Sequence, residues 1–347
     1  MRISYIDFLK AIAIYLVVLG HIIQNYASNL WTIYDLILSF HMPLFALLSG
    51  LFFSCRKKAS AFMLSKIKGL VLPLFTWAFL SEIVFRGISD TYLHFSNGLA
   101  IHFMGWINCW FMTLFNWGWW FLRALFLSFI FAYFSIRLCR RNVTVGILVS
   151  NALLYSLSLL GIIPNRVLND FIFLYPFFSV GILLREHKNL IAKHQKRIFA
   201  YSVFIFVFCL LFWRGYPDCF YGMNTSVFAD TDSVGCSGII VLYKTILRFC
   251  IGVSGSCVLI YIAKQLPSII TANKIISNIG RNTLGIYILH GFVFQLFPSS
   301  TKLLFREEVV SLLFAVSVSA IIVLACNTFV NLTDKNRWLR LSLWGRS

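Results

Sequence analysis

Three histidines, His21, His41 and His290, stand inside long apolar runs. An imidazole that titrates near neutrality is the usual group for taking a proton from a hydroxyl. Asp7 and Lys10 precede His21 on the same run, and Gln24 and Asn25 follow it. At about 100° per residue, Lys10 and His21 fall within about 20° of one line, with Asp7 about 40° to the other side of His21. One helix face therefore carries a polar stripe. Pro43 sits two positions after His41 and leaves the Ser39 carbonyl without its helical partner, which kinks the backbone beside the imidazole. Arg123 and Glu82 lie near the ends of two further apolar runs. Lys244 and Arg248 share a face at i,i+4 spacing, and two cations on an apolar helix call for an anion, either a carboxylate or a ligand phosphate. Each of these groups also has a structural reading. A histidine can bond between helices, an arginine can snorkel to an interface, and Lys66 and Lys68 can be ordinary loop cations.

The elements that position these groups follow from composition. Of 347 residues 59% are hydrophobic and only 12% charged, with a mean hydropathy of +0.82. A soluble domain carries about twice that charged fraction, so lipid must cover this surface. Windows of about 20 apolar residues place spans near 6–27, 34–54, 69–86, 118–137, 143–162, 168–184, 199–213, 238–262, 280–297 and 309–330. The fold expected is all-α: a bundle of about ten transmembrane helices, one domain over 1–347 with no separate soluble domain. Met1 is followed almost at once by a run holding Asp7 and Lys10 without a small-residue cleavage site, which reads as a retained helix.

Charge orients the bundle. With the N-terminus in the cytoplasm, the inner segments receive the clusters at 56–68, 137–141, 185–197, 264–281 and 335–346, while the outer ones keep only Arg86, Arg166, Arg214, Lys302 and Arg306. Both termini are then cytoplasmic. The formal net charge of +18 is thus explained by topology, and nucleic acid is not an expected partner. Counting 99–116 as a further span would reverse the rule downstream, so its Trp106 and Trp110 are read as an outer interfacial or re-entrant segment. Cysteines number nine, with no C-x-x-C pair and no metal-ligand spacing; Cys219 and Cys236 share one polar loop and would pair only in an oxidising compartment.

Depth brings several groups together. His21 precedes the outer end of its span by about six residues, roughly 10 Å. His41 lies at a similar depth on the next helix, Arg123 and Glu82 approach that level, and His290 lies near mid-depth.

Five strings, in order along nearly the whole chain, resemble the acyltransferase-3 family of integral membrane acyltransferases. They are Tyr5-Ile-Asp-Phe-Leu-Lys10 with Val17-Val-Leu-Gly-His21; Phe40-His-Met-Pro-Leu-Phe45 with Ser49-Gly50; Trp120-Phe-Leu-Arg-Ala-Leu125; Tyr175-Pro176 to Gly181; and Ile279-Gly-Arg-Asn-Thr-Leu-Gly-Ile-Tyr-Ile-Leu-His290. The resemblance implies ten helices in the bacterial inner membrane and transfer of an acyl group. That group is usually acetyl from acetyl-CoA, passed to a hydroxyl of a surface glycan or its lipid-linked precursor. It also implies that His21 is essential. Lys10 stands where the family often has arginine, and Lys66 and Lys68 where it commonly has an arginine pair.

The expected roles are His21 as general base, His41 orienting His21 or the acceptor, and Arg123 stabilising the oxyanion. Lys10, Lys66, Lys68, Lys244 and Arg248 would hold the phosphates of the acyl-CoA donor. Asp7, Glu82 and His290 are further polar candidates, and no metal is expected. An acetyl-histidine relay is a variant of the same chemistry. The rival is a transporter or flippase of an anionic lipid-linked saccharide, against which no inverted repeat is visible. A third reading, a non-catalytic sensor or assembly subunit, leaves the polar stripe unexplained.

Overall fold

The computed structural model describes residues 4–82, 119–159, 166–214, 238–271, 273–296 and 307–346. Among them every regular element is a helix. α1 (Ser4–Tyr26) leads through a 3₁₀ turn at Ser28–Leu30 to α2 (Trp31–Leu51). α3 (Ala59–Lys66) continues through a π-helical turn, Ile67–Val71, into α4 (Leu72–Glu82). Next come α5 (Trp120–Leu138), α6 (Val143–Leu159), α7 (Arg166–Glu186), α8 (Lys188–Leu210) and α9 (Gly238–Gln265). The short α10 (Ser268–Thr271) and α11 (Lys274–Arg281) precede α12 (Thr283–Leu296), α13 (Glu308–Thr333) and α14 (Arg337–Trp344).

Each apolar run expected to span the membrane overlaps a helix among the described residues. Among the described residues seven helices are long and apolar enough to cross a bilayer, and Val143–Leu157 and Thr283–Phe294 are shorter apolar helices. The chain is a multi-pass membrane protein. The helices outrun the apolar windows at their cationic ends: α3 begins at Ala59 rather than near 69, and α8 at Lys188 rather than near 199. Lysine and arginine are good helix formers, so a helix leaving lipid continues through a basic stretch. The 99–116 segment, Cys219 and Cys236 lie outside the described residues.

Cross-helix hydrogen bonds sort the helix ends into two sets. At the end where α1 begins, here called basal, Tyr133 Oη and Arg137 Nη2 donate to the Lys57 carbonyl (2.8 and 2.9 Å), and Arg185 Nη1 donates to the Phe53 carbonyl. At the distal end Asn29 Nδ2 donates to Ser311 Oγ (2.9 Å), and Trp213 Nε1 to the Asp35 carbonyl (2.7 Å). Within the helices, buried hydroxyls such as Ser128, Ser256 and Ser319 bond the carbonyl four residues back. A bilayer core offers them no water, so they are satisfied locally.

α1 is the hub, packing on α2, α9, α11, α12 and α13. The largest interface joins α2 to α7. It depends on two glycines facing each other: a Cβ at Gly50 would collide with the Phe178 carbonyl oxygen, and one at Gly181 with the Leu47 carbonyl oxygen. Both obstacles are backbone and cannot rotate away. Small residues that let helix backbones meet are the usual device of membrane interfaces. Gly50→Ala or Gly181→Ala is therefore expected to cost about 1–3 kcal/mol or more by overpacking, read as a lowered melting temperature of the detergent-solubilised chain. Unchanged melting for both would remove this contact from the account.

The basal end also fixes α12. Gly280 allows α11 to lie against the Asp7 backbone of α1. Two residues on, Asn282 Nδ2 donates to Asn327 Oδ1 and Asn331 Oδ1 (2.8 Å each), and its own Oδ1 accepts from Arg346 Nη2 (3.0 Å). Arg346 also pairs with Asp334 at 3.4 Å. α12 is thus anchored to α13 and the C-terminal segment at one end, and it carries His290 two turns above the anchor.

Candidate functional site

His21 belongs to α1 between buried Gly20 and Ile22, yet it is itself exposed, as is Gln24 one turn further. The Gln24 side chain hydrogen-bonds His21. Polar groups at this depth do not face lipid without large cost, so the pair must open onto a polar space. One side of His21 is closed by α12. Its ring centroid lies 5.4 Å from that of His290 and 5.6 Å from that of Phe294.

His290 is buried, and its Nδ1 is 3.1 Å from the Ile286 carbonyl. A carbonyl only accepts, so Nδ1 carries the hydrogen and Nε2 keeps the lone pair in the neutral ring. His41 on α2 repeats the pattern, with Nδ1 2.7 Å from the Ile37 carbonyl, and its other electrostatic neighbours include Arg248 and His21. One imidazole of fixed tautomer therefore packs against His21, and a second lies within electrostatic reach of it.

Arg248 reaches from α9 to the backbone of α2. Its Nη1 donates to the Leu38 carbonyl (2.7 Å) and to the Ser39 carbonyl (2.9 Å), the latter being the group that Pro43 leaves without a helical partner. The guanidinium lies over the rings of Phe173 and Trp213, with centroids at 5.0 and 5.1 Å. An arginine from α9 thus satisfies the carbonyl that Pro43 frees two residues before His41, and Lys244, one turn away, is only half-buried. Replacing Arg248 by Leu is expected to cost about 1.5–3 kcal/mol through the lost charged hydrogen bonds. In a Pro43→Ala background the cost should shrink, since residue 43 then supplies the N–H for Ser39. Full additivity of the two changes in thermal unfolding would contradict the capping role.

A second polar cluster adjoins the first. Arg123 on α5 faces Asp170 on α7 at 3.9 Å, both side chains being buried. Tyr287 on α12 interacts with both charges and hydrogen-bonds the Phe121 backbone. Its ring lies 5.5 Å from that of His290. Ring contacts therefore run from His21 to His290 and Tyr287, and Tyr287 in turn feels the charges of the Arg123–Asp170 pair.

The remaining candidates lie elsewhere. Asp7 is buried at the basal start of α1, against α11. The Lys10 ammonium sits 5.1 Å from the Phe52 ring centroid, and that of Lys66 3.3 Å from the Phe129 ring centroid, while Lys68 is exposed. These three cations are basal and do not touch the histidines. Glu82 ends α4, and its side chain lies outside the described residues. Among the described residues no group of three or more His, Cys, Asp or Glu is placed to hold a metal ion.

Asp170 and Tyr287 are the members that sequence reasoning missed. A signal existed for Asp170, since an acid just inside a span is costly without a cation such as Arg123 at the same depth. Tyr287 offered none, being one aromatic residue among 17%.

A multi-helix membrane bundle holding an accessible histidine among buried polar groups defines a membrane protein with a candidate catalytic centre. The family model for an acyltransferase domain matches residues 3–329, and the chain belongs to this acyltransferase-3 family. Two curated relatives are similar over most of its length. The nodulation protein NolL of Sinorhizobium fredii (strain NBRC 101917 / NGR234) is 26% identical over 316 residues, covering 84% of this chain and 77% of that protein. The nodulation protein NolL of Mesorhizobium japonicum (strain LMG 29417 / CECT 9101 / MAFF 303099) is 25% identical over 313 residues, covering 84% and 76%. No solved structure matches the chain.

Proposed function

We propose that this protein is an O-acetyltransferase of the bacterial inner membrane. It takes acetyl-CoA from the cytoplasm and acetylates a hydroxyl of a surface glycan or its lipid-linked precursor. The reading rests above all on His21, an accessible imidazole in a membrane helix with a second imidazole against it. Family membership supports the reaction type. The excess of cations in the basal segments supports placing both termini in the cytoplasm and His21 towards the outer leaflet.

In this reading the acceptor oxygen attacks the thioester carbonyl while the basic nitrogen of His21 removes the hydroxyl proton. The carbonyl π-electrons move onto oxygen, and the Arg123 region supplies positive potential. The tetrahedral species collapses with cleavage of the carbon–sulfur bond, and the leaving thiolate takes the proton back from His21. The products are an acetyl ester and free CoA. His290 holds the His21 ring in place, and His41 orients the acceptor. Lys10, Lys66 and Lys68 are placed at the end where the CoA phosphates enter. We assign Arg248 to the α2 backbone rather than to phosphate, because its Nη1 already serves two carbonyls there.

The test compares surface polysaccharide from cells with and without the gene, by mass and by base-labile acetate. Loss of one acetate per repeating unit is the expected result; identical mass and acetate content would overturn the assignment.

A further inference from the structure

We propose that a cleft at the foot of α8 binds an anionic phospholipid of the inner leaflet. Two chambers meet there. One has a volume of about 500 Å³ and largely apolar walls that include Leu184, Ile191, Phe199, Ile260 and Tyr261. The other, about 320 Å³, is lined by Arg56, Ser54 and Glu186 among others. The chambers share Ser54, Arg185 and Lys188, and Lys264 stands in the apolar one. Four cations thus border a space in which Glu186 is the one acid of the described lining.

Position and chemistry agree on the occupant. The cleft lies where α1 begins and where α2, α7 and α9 end, the basal level that the cation distribution assigns to the cytoplasmic interface. A phosphate at the cationic chamber with acyl chains in the apolar one satisfies both halves at once. Arg185 is held in place by its bond to the Phe53 carbonyl, and Phe199 of α8 stacks on Tyr261 of α9 with centroids 4.2 Å apart to form a flat apolar wall. Anionic headgroups gain from each such cation near the membrane surface.

The geometry favours a resident lipid over the reacting donor. Ile6 and Phe52 belong to the lining and Lys10 does not, although the Lys10 ammonium lies over the Phe52 ring. From Ile6 to His21 the helix rises about 22 Å. The cleft lining therefore includes neither Lys10 of the polar stripe nor His21. The proposal rests on the membrane reading alone, so acyl transfer could fail while it stands.

Cys257 lines the apolar chamber and reports on occupancy. The full chain is placed in nanodiscs of phosphatidylcholine alone, or of phosphatidylcholine with an equal share of phosphatidylglycerol, and maleimide labelling of Cys257 is followed by peptide mass spectrometry. Phosphatidylglycerol is expected to slow the labelling. In Arg56→Gln/Lys188→Gln/Lys264→Gln the apparent phosphatidylglycerol affinity should fall about a hundredfold, with labelling in phosphatidylcholine unchanged. Equal labelling in both lipids would overturn the proposal. So would free CoA protecting Cys257 in phosphatidylcholine as well as phosphatidylglycerol does, since the cleft would then belong to the donor.

Discussion

His21→Ala is expected to lower acceptor acetylation by about 10²–10⁴-fold, the range that a positioned general base contributes. Folding should survive, because His21 is exposed and its hydrogen-bonding partner Gln24 is exposed as well. His290→Ala should also slow the reaction, and with a cost in stability, since it opens a buried position beside Tyr287 and Phe294. The ratio of lost rate to lost stability thus separates the base from the residue that holds it. Membrane-inserted His21→Ala with the wild-type rate would remove His21 from the chemistry.

Breaking the Arg123–Asp170 pair has the second large effect. Arg123→Leu or Asp170→Leu alone removes one half of a buried ion pair, which costs about 3–5 kcal/mol. Replacing both by Leu should recover most of that loss, because an apolar pair needs no compensation. Activity should not return with stability, because the guanidinium that acts on Tyr287 would still be missing. Thermal unfolding of the two single variants and the double variant, with acetylation measured on each, reads both predictions. Recovery of full activity in the double variant would leave the pair a purely structural role.

The helices were legible because a bilayer leaves little choice. An apolar run of the necessary length becomes a helix, and its centre is visible in composition. The ends were less so. α3 and α8 extend through basic stretches where hydropathy falls but helix propensity does not. Pro43 illustrates the limit for the site: the freed Ser39 carbonyl follows from the sequence, whereas its partner Arg248 lies 209 positions away and only the fold brings it there. The alignment of Lys10 with His21 along α1 was readable from helical periodicity. His290 facing His21 was not, since depth alone does not say which helices are neighbours. Gly50 and Gly181 stood out as family residues, and the backbone-to-backbone packing of α2 on α7 supplies their physical reason. Lys66 shows the opposite case. Its ammonium rests on Phe129, so any role with phosphate requires a side chain already engaged by an aromatic face to turn.

The central claim is that acetyl passes from CoA to an acceptor hydroxyl with His21 as base. The direct measurement supplies acetyl-labelled acetyl-CoA to inside-out membrane vesicles containing the protein and a lipid-linked glycan acceptor. Free CoA and labelled acetyl ester are then counted together. The account predicts release of one CoA per ester formed, dependent on the acceptor and absent with His21→Ala. Movement of the acceptor across the membrane without CoA release or ester formation would contradict it and identify a transporter instead.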